Sequence, residues 1–491
     1  MRGRRQQRMP AAPAGTVAAM PAAAAFFDLD RTLVGGATGS VIGAELREAG
    51  VVTQSLPGED LLYRAFNLIG ETWPTMLLIR QGARMAKGWS RESVVEAGER
   101  AADRLIDDVQ PYARLLIDGH REAGRPVVLA TTTPYDLVKP LADRLGLDSV
   151  VATRYGVEDG RYDGTIQGEF VWGRGKLHAV RAWAAQHDVR LQDSYAYSDS
   201  FYDFPLLDAV GHPSAVNPDP RLVVIATLRR WPVVHLDVPA GVPKLAGIEP
   251  QQLLFPIVRP ELFPFARFDI RGTERIPKEG AAILVSNHRS YFDPLTIGLT
   301  VAKRGRPVRF LGKKEVFDAP VVGQVAKALG GIRVDRATGG DEPLRAAAQA
   351  LEAGDMVAIL PQGTIPRGYA FFEPELQGRW GAARLAAMTG APVVPLGLWG
   401  TERVWPRNAR LPDVFNVTNP PKVRVRVGDP VEIGREDPDT DTKAIMAAIA
   451  DLLPPEARRP HEPTREELER TLPPGYEGDP KEELDRRPGE D

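Results

Sequence analysis

The chain contains no cysteine. That absence excludes disulfide bridges, thiolate nucleophiles and cysteine-based zinc sites, and leaves any chemistry to carboxylates, hydroxyls, histidines and cations. Histidine is scarce as well, with seven in 491 residues. An excess of one charge is also missing: 62 Lys and Arg stand against 65 Asp and Glu, for a net charge of -3. A general nucleic-acid binder concentrates basic surface, so that partner class is not expected. Long apolar runs are absent too. A spanning helix needs about 20 strongly apolar residues, and the nearest candidate, Met9 to Phe27, is rich in alanine and interrupted by Pro10, Pro13 and Pro21. It follows Arg2, Arg4, Arg5 and Arg8 as a secretory signal would, but it lacks a leucine-rich centre and runs straight into an acidic motif. Residues 1–21 are therefore expected to form a disordered leader.

What is present is ordinary globular material, 43% hydrophobic and 26% charged, in a length that suits two medium domains. Residues 22–235 alternate short apolar runs with helical stretches, the pattern of a parallel α/β sheet. Strands are expected at Ala24–Phe27, Pro126–Ala130 and Ser194–Tyr197, with a helical cap over about 37–109, continuous in its 3.6-residue spacing. A proline-rich linker is expected over 236–261. A second α/β domain over 262–453 has strand-like runs at Ala281–Val285, Met356–Leu360, Pro392–Leu398 and Lys422–Val427. The tail over 454–491 is dominated by proline and charge and is expected to be largely disordered apart from a short helix near Arg465–Thr471.

The first polar constellation opens at Asp28-Leu29-Asp30, two carboxylates at the carboxyl end of a buried strand, where open α/β sheets bind ligands. Like charges that close need a cation, and Mg2+ accepts one or two carboxylates together with phosphate oxygens and water. Thr131-Thr132-Thr133-Pro134 offers hydroxyls and free amides after another strand. Lys176 follows Gly173 and Gly175 at a helix start, a favourable place for an anion. Tyr197 to Asp203 adds Asp199 and Asp203 after a third strand. Each piece has a bland alternative: a turn carboxylate, a β-favouring threonine, a solvated lysine, a helix cap. Their joint occurrence in this order favours a phosphate site.

These motifs resemble the haloacid dehalogenase superfamily of phosphatases, in particular its phosphoserine-phosphatase-like branch with a helical cap, over residues 22–235. The resemblance implies a Rossmann-like parallel sheet and a Mg-dependent phosphatase. It implies Asp28 as the nucleophile that forms an aspartyl-phosphate and Asp30 as general acid and base. Thr131 and Lys176 would hold the phosphoryl group, and Mg2+ would sit on Asp28, Asp199 and the Asp30 carbonyl with Asp203 in support. A helical cap implies small substrates.

The second constellation is Asn287-His288-Arg289-Ser290-Tyr291-Phe292-Asp293-Pro294. Histidine serves as a general base near neutral pH when a carboxylate orients it. Five residues apart on a regular helix, the two side chains would diverge by about 140°, so they meet only if His288 lies in the loop before the helix. Asp293 as N-cap and Pro294 as first helical residue fit that arrangement, although a plain cap beside a loop histidine would look the same. Gly312-Lys313-Lys314 and Leu360-Pro361-Gln362-Gly363-Thr364-Ile365-Pro366-Arg367 follow, the latter a turn that can ring a phosphate with amides and a guanidinium.

These blocks are similar to the glycerolipid acyltransferases, the family that includes 1-acylglycerol-3-phosphate acyltransferases, over about 262–435. The resemblance implies that His288, oriented by Asp293, activates a glycerol hydroxyl for attack on a thioester of CoA or acyl carrier protein. Gly363, Thr364, Arg367 and Lys313 or Lys314 would bind the acceptor's phosphate. One block departs from the family: Gln362-Gly363-Thr364-Ile365 replaces Glu-Gly-Thr-Arg, and Arg367 comes two places late. The expected whole is a bifunctional enzyme of phospholipid biosynthesis acting on a lysophospholipid. Two alternatives are a regulatory or scaffolding first half, and a non-catalytic lipid-binding protein. Such an enzyme is expected in the cytoplasm, peripheral on the inner face of the membrane. The surface contact would come from Leu253–Phe268, unless those residues only pack the domain junction.

Overall fold

The computed structural model describes residues 23–52, 73–239, 241–244, 247–254, 259–313, 317–318, 322–334 and 342–483. The expected leader, residues 53–72 of the expected cap and Lys314 lie outside the described residues. The chain divides into two compact units, Met1–Val109 with Leu116–Val233, and Gln110–Leu115 with Val234–Asp491.

The first unit is built on a sheet of β1 (Ala25–Phe27), β2 (Val127–Pro134), β3 (Ser149–Glu158), β4 (Arg161–Gln167), β5 (Tyr195–Ser198), β6 (His212–Val216) and β7 (Val233–Val234), in the order β4-β3-β2-β1-β5-β6-β7. The central β1 pairs in parallel with both β2 and β5. A strand covered on both faces reads as an unbroken apolar run, and Ala25, Phe26 and Phe27 are all fully buried. Phe26 meets Trp183 edge-on from the helix Arg174–Gln186, while Phe27 stacks on Tyr197.

Three expectations need correction in this unit. The sheet is not wholly parallel: β4 runs antiparallel to β3 at the edge. Asp159 and Gly160 join them, both at positive φ (49° and 76°), as a two-residue hairpin turn requires. Strand β2 continues through Thr131 to Pro134, so Thr131 lies within the strand rather than beyond it. The helical insertion is also discontinuous. Helices Trp73–Met85 and Arg91–Leu105 are separated by a turn containing Gly88 at φ 84°, and Ser90 caps the second by accepting from the Ser93 N–H. That second helix lies close on Tyr135–Arg144, where a Cβ added at Gly98 would stand 2.8 Å from the Asp136 carbonyl oxygen.

The second unit has β8 (Arg267–Arg271), β9 (Ala282–Ser286), β10 (Arg309–Lys313), β11 (Ile332–Val334), β12 (Met356–Ile359), β13 (Val393–Trp399) and β14 (Lys422–Val427), in the order β11-β10-β12-β9-β13-β14-β8. Again one strand, β9, is central and parallel to both neighbours, and only the β13–β14 pairing is antiparallel among the described pairs of this sheet. Its side chains alternate between two cores. Ala282 and Leu284 pack with Ile297 and Val301, and Ile283 and Val285 with Leu385 and Ile449.

Two segments expected to be loose belong to this unit. In the expected linker 236–261, Leu236, Val238 and Val242 are buried, and Glu249 accepts two hydrogen bonds from the buried Arg309 at 2.5 and 2.9 Å. A buried carboxylate holding a buried guanidinium fixes such a segment more firmly than its proline content suggests. In the expected disordered tail, helix Arg465–Arg470 begins with a capping box at Thr464 and Glu467. Leu468 and Leu472 are buried, and the Gly368 N–H donates to Thr471 Oγ1 at 2.9 Å. The tail lacks a core of its own but completes one that already exists.

Candidate active sites

Strand β1 ends at Phe27, and the next amide, that of Asp28, still donates to the Tyr197 carbonyl of β5 at 2.9 Å. The Asp28 carboxylate is thereby fixed at the carboxyl edge of the sheet. Lys176 reaches it from the start of helix Arg174–Gln186. The preceding Gly173 sits at φ 56°, and a Cβ on Gly175 would collide with the Phe170 carbonyl oxygen at 2.2 Å, so neither position accepts a side chain easily. Lys176 Nζ donates to Asp28 Oδ1 at 2.7 Å and to Asp203 Oδ2 at 2.5 Å, with Lys176 and Asp203 each 1% exposed. Ser198 Oγ donates to the same Asp203 oxygen at 2.7 Å.

The remaining carboxylates are held separately. Asp30 accepts from the Thr38 N–H and hydroxyl at 2.5 and 2.9 Å. Desolvation raises its pKa above the ordinary carboxylate value, opposed by the Thr38 hydrogen bonds and by the Lys176 charge. Asp199, at the end of β5, pairs with Arg31 Nε at 3.3 Å, and its N–H donates to Thr32 Oγ1. Thr131 is buried within β2, its hydroxyl oxygen accepting from the Thr133 N–H at 3.2 Å. Thr32 and Thr38 were not singled out from the sequence, though both lie within the loop that Asp28 opens.

Among the described residues no cluster of three or more histidine or acidic side chains is arranged to hold a metal. Asp28 and Asp199 nevertheless extend the adjacent strands β1 and β5. Two carboxylates with a backbone carbonyl such as that of Asp30 are a donor set that fits Mg2+, which keeps several waters and takes substrate phosphate oxygens for the rest.

The second site has a different construction. His288 lies in the loop after β9, and helix Asp293–Ala302 begins directly behind it. Phe292, rather than Asp293, holds the cap position, with Asp293 and Pro294 opening the helix. Asp293 is fully buried, and its Oδ2 receives the Arg289 and Ser290 amides at 2.7 and 2.8 Å and His288 Nδ1 at 2.8 Å. The carboxylate therefore curls the loop and orients the ring in one contact. Its other oxygen, Oδ1, is buried without a hydrogen-bond partner among the described residues. Asn287 pins the loop to β13 through bonds to the Leu398 carbonyl and N–H.

The third block comes to the same place through Gln362, whose Oε1 accepts from the His288 N–H at 2.6 Å. Ile365 is buried, and Arg367 faces the tail, 3.4 Å from Glu483 Oε1. A different arginine, missed from the sequence, occupies the block's other side. The Arg379 N–H donates to the Pro361 carbonyl, so the loop from Gln362 to Gly378 closes on itself. Gly363, at φ 75°, then has the Arg379 side chain 3.1–3.5 Å from where a Cβ would stand. Gln362, Thr364 and Arg379 line a cavity of about 220 Å3 that Glu373 and Glu375 also border. The Arg379 guanidinium has no hydrogen-bond or ion-pair partner among the described residues. No local spacing signals this residue, because loop closure alone brings it to Gly363. Lys313 ends β10 and its side chain is not described. Beyond the loop, Arg289 lies between the Phe371 and Trp399 rings at 4.1 and 4.2 Å, beside a cavity of about 280 Å3 whose lining includes the tail residues His461 and Arg470.

Residues 25–208 match the haloacid dehalogenase-like hydrolase family, and residues 267–399 match the acyltransferase family. A probable phosphatase of Mycobacterium tuberculosis is 34% identical over 48% of this chain and 83% of its own length. A phosphoserine phosphatase of the same organism is 36% identical over 43% of this chain and 70% of its own. Among solved structures, the 1-acyl-sn-glycerophosphate acyltransferase of Thermotoga maritima is 23% identical, covering 39% of this chain and 77% of that one with a TM-score of 0.29. The chain belongs to the haloacid dehalogenase-like hydrolases through its first unit, and it carries an acyltransferase domain in its second.

Proposed function

We propose that this fusion is a bifunctional enzyme of phospholipid synthesis. Its second unit transfers an acyl group from a thioester of CoA or acyl carrier protein to 1-acylglycerol-3-phosphate or a related acceptor, and its first hydrolyses a small phosphomonoester. The observation that carries the reading is the His288 Nδ1–Asp293 contact of 2.8 Å, made by a fully buried carboxylate. A ring that donates through Nδ1 leaves Nε2 free to accept a proton. Nε2 takes the proton of the acceptor hydroxyl as that oxygen attacks the thioester carbonyl, and Asp293 stabilises the imidazolium. Collapse of the tetrahedral intermediate breaks the carbon–sulfur bond, forms the ester and passes the proton to the departing thiolate. Gln362 holds the His288 backbone, and Arg379, with Thr364, supplies the guanidinium that Ile365 cannot, binding the acceptor's phosphate.

In the first unit Asp28 attacks phosphorus while the leaving oxygen takes a proton from Asp30, whose pKa burial shifts upward, the direction that favours a general acid. Water, deprotonated by the resulting Asp30 carboxylate, then attacks the aspartyl-phosphate, releasing phosphate and restoring Asp28. Lys176 offsets the charge on Asp28 and on the transferring group. Bound Mg2+, held by Asp28 and Asp199, would neutralise phosphate charge. The activity named for the M. tuberculosis phosphoserine phosphatase supports a small phosphomonoester as substrate.

Transfer of labelled acyl groups from acyl-CoA to lysophosphatidate by the purified chain tests the main assignment. His288→Ala is expected to lower the rate by about 10²–10⁴-fold; equal rates in parent and variant would refute it. Mg-dependent hydrolysis of phosphoserine and other small phosphomonoesters, abolished in Asp28→Asn, tests the other half.

A further inference from the structure

The expected membrane contact, Leu253–Phe268, is only partly available. Phe265 and Phe268 pack on the core of the second unit and against Phe292. A stronger apolar surface stands elsewhere. Between Leu411 and Val417, Leu411 is 75% exposed, Val414 42%, Phe415 90% and Val417 53%. Single exposed apolar side chains are ordinary, but a contiguous group on one loop marks an interaction site.

The loop is held rather than loose. Asp413 donates its N–H to the Val404 carbonyl at 3.1 Å, and Trp405 Nε1 donates to the Ala409 carbonyl at 3.0 Å. Tight turns follow, with the Val414 N–H on the Pro412 carbonyl and the Val417 N–H on the Phe415 carbonyl. Its base is tied to the acyl-transfer loop. Ser290 Oγ donates to the Trp405 carbonyl at 2.6 Å, and the Tyr291 ring, 44% exposed, meets the Trp405 ring edge-on at 5.7 Å. Ser290 and Tyr291 lie between His288 and Asp293, so the apolar tip and the proposed base share one support.

Charge separates the possible occupants. From Arg403 to Lys422 the exposed cations are Arg403, Arg410 and Lys422, against Asp413 alone among exposed acids. Lys422 also pairs with Asp269, whereas Arg410 has no partner among the described residues. Apolar residues flanked by net positive charge match the boundary between acyl chains and anionic headgroups. A stable protein dimer needs about 800 Å2 and 20–30 residues from each partner, far more than this tip offers. No helix among the described residues is long and apolar enough to cross a membrane.

We infer that the loop Leu411–Val417 docks the acyltransferase unit on an anionic phospholipid bilayer, inserting Leu411 and Phe415 and bringing the His288 loop to acceptors in the surface. The inference rests on the proposed acyl transfer for its purpose, but docking is measured separately. Full-length chain is floated with vesicles of phosphatidylglycerol and phosphatidylcholine, or of phosphatidylcholine alone. Parent protein should partition onto the anionic vesicles. Leu411→Ser/Phe415→Ser should weaken that partition at least tenfold with an unchanged thermal melt, and Arg410→Gln should weaken it severalfold on anionic vesicles only. Transfer to a short-chain lysophosphatidate below its micelle concentration should stay at the parent rate in the double variant, while transfer to vesicle-borne acceptor falls. Loop-dependent flotation without any transfer would sink the proposed reaction and leave the docking standing. Equal flotation of parent and double variant, or no flotation of the parent, overturns the docking. A double variant altered in oligomeric mass alone overturns it too, and makes the tip a self-interface.

Discussion

In the first unit the central cation, Lys176, is buried between Asp28 and Asp203. In the second, the cation nearest the block proposed to bind phosphate, Arg379, is exposed and meets no carboxylate among the described residues. One site satisfies its charges internally before any ligand arrives, and the other leaves a charge for the ligand to satisfy. Folding and chemistry are therefore coupled in the first unit, where deleting the cation strands two carboxylates. In the second they are more separable, because Asp293, Asn287 and Gln362 are committed to the fold while the Arg379 side chain is not.

The sharpest way to break this comparison is Lys176→Met. It should cost the first unit about 3–5 kcal/mol, because an unpaired buried charge is expensive; denaturant unfolding followed by circular dichroism would read it. A loss below about 1 kcal/mol would mean that the network is not structural. His288→Ala, by contrast, should leave the second unit's midpoint nearly unmoved while removing transfer.

A second prediction probes charge inside the first unit. Burial, and then the Arg125 guanidinium, push the His120 pKa down to about 4. Its neutral ring accepts from Arg125 Nε through Nδ1 and contacts the Tyr197 hydroxyl through Nε2 at 2.8 Å. A depressed histidine pKa contributes stability above the unfolded value of about 6.5, and that contribution is lost as pH falls toward 4. The stake is ~3 kcal/mol. His120→Gln should remove that portion of the acid sensitivity, measured as the difference between parent and variant from pH 7 to pH 4.

The smallest effects fall at the altered block. Arg379→Ala should raise the acceptor KM roughly tenfold or more, the scale of about 1.5–3 kcal/mol for a hydrogen bond to a charged group. Arg367→Ala should change it less than about twofold while lowering thermal stability, because Arg367 faces Glu483. The reverse pattern would return the phosphate to Arg367.

The parts of the sites legible in the sequence were those that follow buried strands. Asp28, Asp199 and His288 each trail an apolar run, and sheet order then brings such positions to one edge. Less could be read where partners are made by closure of long loops. Arg379 reaches Gly363 only because its own N–H returns to Pro361. The linker looked loose because composition cannot show that Glu249 clamps Arg309 across 60 positions. The tail looked disordered because two leucines, Leu468 and Leu472, are too few to build a core and quite enough to finish one. The edge strand β4 is legible in Asp159-Gly160, a hairpin signal.

The ion pair between Arg367 and Glu483 also sets an order of events during synthesis. Its partners are 116 positions apart. At roughly 5–20 residues per second, Arg367 is joined to the chain about 6–23 s before Glu483. The first unit can fold in that interval, since its strands have all been made. The second must hold its sheet with the wall near Arg367 and Thr471 still missing, and its cavity beside Arg289 closes only once the stretch from Leu453 to Thr471 has been made.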